Sequence, residues 1–84
     1  MIKREITVGK VSRFSASPAA LLVQAASKFG AGIFVEHDDK KINAKSIMGV
    51  MTLRFADGEI MTISADGADE NEAIEEVCGL LSGK

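Results

Sequence analysis

The only histidine, His37, sits among carboxylates in Glu36-His37-Asp38-Asp39. Imidazole beside carboxylates can bind a metal weakly or move protons near neutral pH. The stretch is polar enough to form a hairpin tip, where neighbouring side chains diverge and water enters, so a solvated turn is the expectation. Cys78 falls on the apolar stripe of a helix with no histidine near it in sequence, and reads as a small buried hydrophobe. Gly30-Ala31-Gly32 is the nearest approach to a phosphate loop, but it joins a helix to a strand. Aiming a helix N-terminus at phosphate needs the reverse order. These residues support neither an enzyme nor a metal or cofactor site.

Ser46 is more informative. It immediately precedes the apolar run Ile47-Met48-Gly49-Val50-Met51-Thr52-Leu53, where a serine is an N-cap signal. One reading stops there: the hydroxyl satisfies an orphan backbone N–H. In the other, phosphorylation of Ser46 places charge at the positive end of the helix dipole without disturbing the fold. Ile47, Met48 and Met51 then form an apolar patch beside a switchable charge, which is a recognition surface. The spacing leaves Met48 and Met51 equally open to core or surface, whereas Met61 reads as core.

The elements that position these residues follow from periodicity. Ile2, Ile6 and Val8 alternate with polar residues and predict a strand, with Arg4 interrupting the apolar row. Ser17-Pro18 opens a helix over about residues 16–28, with Leu22, Ala26 and Phe29 on one face, Lys28 in its last turn and Gly30 as its stop. Ile33-Phe34-Val35-Glu36 is a second strand. The hairpin turn is expected over His37–Lys41, and Ile42-Asn43-Ala44 returns. A short helix follows Ser46, weakened by Gly49. Ile60–Ala65 alternates as a fourth strand. Asp69 is the expected N-cap of the last helix, with Glu72 in the capping-box position and Ile74, Val77, Cys78 and Leu81 inside. The order β-α-β-β-α-β-α predicts an α+β sandwich: a four-stranded antiparallel sheet covered on one face by three helices.

Composition sets the outer limits. The chain has 84 residues, 46% apolar and 26% charged, which fits a single domain over residues 1–84. Ten basic and twelve acidic residues leave a net charge of −2, so no strong field recruits nucleic acid. No segment is apolar enough for a membrane span. One cysteine permits no internal disulfide and no signal peptide is evident, so the expected compartment is the reducing cytoplasm. With no Trp or Tyr, the core is expected to draw on Ile, Val, Leu, Met, Ala and the four Phe.

Two segments carry a resemblance. Ser17-Pro18-Ala19-Ala20-Leu21-Leu22-Val23-Gln24-Ala25-Ala26-Ser27-Lys28-Phe29 and Asn43-Ala44-Lys45-Ser46-Ile47-Met48-Gly49-Val50-Met51 closely resemble the two signatures of the HPr family. These are the small histidine-containing phosphocarriers of the bacterial sugar phosphotransferase system. The resemblance extends over nearly the whole chain and implies an HPr-like open-faced β-sandwich. The family's first signature reads Gly-Leu-His-Ala-Arg-Pro-Ala, whereas this chain has Arg13-Phe14-Ser15-Ala16-Ser17-Pro18-Ala19. Ser15 stands at the phosphohistidine position and Ser17 at the supporting arginine, a degenerate site. A serine hydroxyl is a weaker neutral-pH nucleophile than imidazole, and its phosphate ester is a poor donor. Losing the arginine removes a bidentate phosphate clamp.

The second signature is intact. By resemblance to the Crh-type branch of the family, which lacks the histidine, Ser46 is phosphorylated by an ATP-dependent HPr kinase/phosphorylase. The product then binds a LacI-type catabolite control protein through Ile47, Met48 and Met51. That implies carbon catabolite regulation without phosphocarrier activity. The arginine replaced by Ser17 also helps hold phosphoserine in such complexes, so that contact is either absent or replaced, with Arg13 and Lys45 the basic candidates nearby in sequence. The alternatives are a phosphocarrier with an atypical acceptor at Ser15 or His37, and an interaction module that needs no phosphorylation.

Overall fold

A computed structural model describes residues 1–9, 17–53 and 55–82. Period-two alternation places β1 at Ile2–Thr7 and β4 at Ile60–Asp66; Gly32–His37 forms β2 and Lys40–Asn43 forms β3. The helices are α1 (Pro18–Ser27), α2 (Ile47–Val50) and α3 (Glu70–Ser82). The chain order is the expected β-α-β-β-α-β-α. Every strand pair is antiparallel, in the sheet order β1-β4-β2-β3.

Register puts Ile6 opposite Met61 and Val35 opposite Ile63, so one face of the sheet is apolar, interrupted at its edge by Arg4 opposite Ile63. Leu22 and Ala26 of α1, Val50 of α2, and Ile74, Val77 and Leu81 of α3 close over it. The residues most completely buried are aliphatic, joined by Met61 and the polar Ser64. Among the described residues, the phenylalanines contribute less to the core than composition suggested, and Phe14 lies outside the described residues. Phe29 and Phe55 pack at the margin of the core, and Phe34 lies on the opposite, helix-free face. There its ring is 5.0 Å from Lys41 Nζ, a cation–π contact. Odd and even positions of β2 face opposite ways, which forces Phe34 away from Ile33 and Val35.

Two turns tighten the sandwich. The β2–β3 hairpin turns on only Asp38 and Asp39, both at positive φ (50° and 66°). That is the type I′ geometry, whose twist matches the flanking strands. The strands therefore extend to His37 and start at Lys40, and the turn is shorter than the expected His37–Lys41. At the β4–α3 corner, Gly67 has φ 155°, and a Cβ there would lie 2.7 Å from Ala31 Cα. Only glycine lets the two backbones approach this closely.

Candidate functional site

Ser46 is placed by the end of β3. The Asn43 side-chain oxygen accepts from Lys45 N at 2.9 Å, and Ser46 N donates to the Asn43 carbonyl at 3.0 Å. This Asx-type turn stops the strand and swings the chain into α2. One helical turn follows, with Val50 N bonded to Ser46 O and Met51 N to Ile47 O. Val50 and Leu53 are buried, and Gly49 sits so close to β3 that a Cβ would lie 2.9 Å from Ile42 Cγ2.

With Val50 and Leu53 inside, Ile47, Met48 and Met51 point outward at 44%, 81% and 70% exposure. The choice between core and surface for the two methionines falls to the surface. Ser46 is exposed and caps α2, with Oγ accepting from Gly49 N at a long 3.4 Å. Its hydroxyl is thus weakly held, beside three exposed apolar side chains. α2 spans only four residues, shorter than the apolar run over 47–53 suggested.

The neighbouring cation is engaged elsewhere. Lys45 Nζ donates to the Phe29 carbonyl at 2.7 Å, at the C-terminal end of α1. The cation serving that helix end is Lys45 rather than the expected Lys28, whose Nζ reaches Glu76 of α3 at 2.8 Å. Nothing local in sequence signals this, because Lys45 and Phe29 meet only when α2 packs against α1. Arg13 and Ser15 lie outside the described residues. Ser17 is exposed immediately before α1, and its side chain makes no capping bond.

His37 departs from the expected solvated turn. Its side chain is 8% exposed, with Nδ1 3.1 Å from the Ile60 carbonyl and Nε2 3.3 Å from Asp38 and 3.5 Å from Glu59. A carbonyl only accepts, so Nδ1 donates and the ring fastens the hairpin to the start of β4. The type I′ turn keeps His37 in the strand and leaves only Asp38 and Asp39 at the tip. Among the described residues no group of three His, Cys, Asp or Glu could hold a metal ion. Cys78 is buried in the core, and burial pushes its thiol pKa up. Among the described residues, no helix is long and apolar enough to cross a membrane.

The Gly30-Ala31 amides do form an anion nest, filled by the chain's own carboxylate. Asp69 Oδ2 accepts from Gly30 N and Oδ1 from Ala31 N, each at 2.9 Å. Those bonds, Gly30's foremost, hold the Asp69 carboxyl below its ordinary range. The expected Asp69–Glu72 capping box is not what forms. Asp69 reaches across to the α1–β2 loop, while Glu70 Oε1 accepts from Gly67 N three residues back, at 3.1 Å.

An open-faced sandwich carrying an exposed serine-capped apolar turn is the arrangement that the resemblance to the HPr family implied. The family model described as the PTS HPr component phosphorylation site matches residues 2–82. The HPr-like protein Crh of Bacillus subtilis is 44% identical over 81 residues, 96% of this chain and 95% of that protein. Crh of Halalkalibacterium halodurans is 42% identical, covering 96% of each. The crystal structure of HPr-C-His from Thermoanaerobacter tengcongensis aligns with a TM-score of 0.85 at 47% identity, over 96% of this chain and 91% of that one. Phosphocarrier protein HPr from Bacillus anthracis aligns at 0.86 and 41%, over 95% of each. The chain belongs to the HPr family and is a Crh-like member of it.

Proposed function

We propose that this chain is a cytoplasmic regulatory protein switched at Ser46, and not a histidine phosphocarrier. An ATP-dependent HPr kinase/phosphorylase phosphorylates Ser46, and the product binds a LacI-type transcriptional regulator in carbon catabolite control. The observation that carries this reading is the exposed, weakly held Ser46 hydroxyl beside exposed Ile47, Met48 and Met51. The sequence supports it from the other side, since Ser15 and Ser17 replace the histidine and arginine of the family signature. A hydroxyl at Ser15 lacks the imidazole nitrogen that accepts and releases phosphate readily. His37 is no substitute, because both ring nitrogens already face the Ile60 carbonyl, Asp38 and Glu59.

Incubation with HPr kinase/phosphorylase and ATP, read by mass spectrometry, tests the proposal. One added phosphate is expected on the wild type and none on Ser46→Ala; phosphate that persists in Ser46→Ala overturns it. Label from phosphoenolpyruvate through Enzyme I is expected to be absent, and its transfer would instead establish an atypical phosphocarrier. A regulator that binds the phosphorylated and unmodified forms equally would establish an interaction module in which Ser46 is only a helix cap.

A further inference from the structure

Sulfur is unevenly placed in this chain, which has four methionines and one cysteine. Met61 is fully buried in the core. Cys78 is buried too, and burial pushes its thiol pKa up. The thiolate is the form that oxidants attack, so Cys78 is shielded both by access and by protonation. The remaining sulfurs are outside: Met1 at the N-terminus, Met48 in α2 and Met51 at the C-cap of α2. Met48 and Met51 are the two most exposed large apolar side chains among the described residues. Three positions apart on one helical turn, they share a face.

The turn does not depend on these two side chains. Val50 and Leu53 anchor it in the core, Gly49 lies against Ile42, and Val50 N and Met51 N are bonded to the carbonyls of Ser46 and Ile47. An oxygen added at either thioether therefore enters solvent and disturbs no packing within the chain. Hydrogen peroxide supplies that oxygen. A sulfur lone pair attacks one peroxide oxygen, an S–O bond forms and the O–O bond breaks. The sulfur is oxidised by two electrons, and the other oxygen, reduced, leaves as water after taking up the proton. The product is a polar sulfoxide, which methionine sulfoxide reductases convert back to the thioether.

We propose that Met48 and Met51 are a peroxide-sensitive pair, and that their oxidation to sulfoxides blocks docking at the Ser46 patch. The inference rests on the reading of that patch as the regulator's docking surface. Docking takes both side chains out of water. A thioether enters an apolar contact at little cost, whereas a sulfoxide oxygen gives up its hydrogen bonds to water and finds no donor there. Phosphate on Ser46 and oxygen on Met48 and Met51 thus act in opposite senses on one surface. The first adds the charge that is recognised, and the second removes the apolar contact beside it.

The test treats the Ser46-phosphorylated full chain with hydrogen peroxide, removes the peroxide, and follows each sulfur by peptide mass spectrometry. Affinity for a LacI-type catabolite control protein is measured on the same samples by calorimetry. Met48 and Met51 are expected to gain one oxygen each, with Met61 and Cys78 unmodified and the circular dichroism spectrum unchanged. Affinity should fall by about tenfold or more, and return after treatment with methionine sulfoxide reductases. In Met48→Leu/Met51→Leu, which retains Met1, peroxide should leave the affinity where it stood before treatment. Binding that survives complete oxidation of Met48 and Met51 overturns this inference and leaves the Ser46 reading standing. Oxidation of Met61 or Cys78 in step with Met48 overturns it as well, because lost binding would then follow from damage to the core. So does a peroxide-dependent loss in the double variant, which would trace the effect to Met1. A phosphorylated, unoxidised chain that does not bind the regulator overturns the Ser46 reading and this inference with it.

Discussion

Lys45 donates a 2.7 Å hydrogen bond from Nζ to the carbonyl of Phe29, so the residue preceding the proposed phosphoacceptor is anchored to the end of α1. The bond joins the two segments that carry the family resemblance and satisfies a backbone carbonyl two residues past the end of α1. Replacing the ammonium with a thioether in Lys45→Met is expected to cost about 1–2 kcal/mol. A lower urea midpoint with an unchanged slope would show this. An unchanged midpoint would mean that the bond contributes nothing in solution.

Ser46 and Val50 lie one helical turn apart and should separate function from stability. The Ser46 cap is long at 3.4 Å, so Ser46→Ala is expected to cost only about 0.5 kcal/mol. Val50 is fully buried, and Val50→Ala should cost about 2 kcal/mol through the cavity it leaves. Parallel denaturation curves check the contrast, and phosphate uptake should be lost only in Ser46→Ala.

Gly67 faces Ala31 at the β4–α3 corner. Gly67→Ala combines an unfavourable φ with a contact of 2.7 Å to backbone, and is expected to cost about 3 kcal/mol. Gly58 also has positive φ, 93°, but a Cβ there meets nothing within 4 Å. Gly58→Ala should therefore cost only about 1 kcal/mol. Thermal unfolding of the two variants side by side provides the comparison.

Acid sensitivity should concentrate at the start of α3. Gly30 and Ala31 amides hold the Asp69 carboxyl below its ordinary range, and the Gly67 amide does the same for Glu70. A carboxyl depressed in the folded state adds stability above its unfolded pKa, and that stability is lost as pH falls through the folded value. The wild type is therefore expected to lose stability as the pH drops below about 4. Asp69→Asn should be less stable at neutral pH and show a flatter acid limb, which denaturation at a series of pH values would reveal.

Much of the fold is legible from periodicity. Ile6 and Val8, Ile33 and Val35, and Met61, Ile63 and Ala65 declare their buried faces by alternation, and Ile74, Val77, Cys78 and Leu81 do so by helical spacing. His37 was not legible. Its charged neighbours suggest a wet loop, but the positive φ of Asp38 and Asp39 shortens the turn and leaves the ring against β4. Asp69 was half legible: the sequence marks it as a cap near a helix start, while its carboxylate serves amides 38 and 39 residues away.

By itself, the sequence determined the element order, the apolar faces, the intact Ser46 segment and the absence of histidine at position 15, because these depend on residue type and local spacing. Tertiary structure alone decided which side of α2 faces solvent, where Lys45 places its charge, and what fills the Gly30-Ala31 nest. Those outcomes depend on close approach between segments distant in the chain, as with Gly49 on Ile42 and Lys45 on Phe29. Periodicity carries no record of such distances, and packing sets them only when the sheet and helices close together.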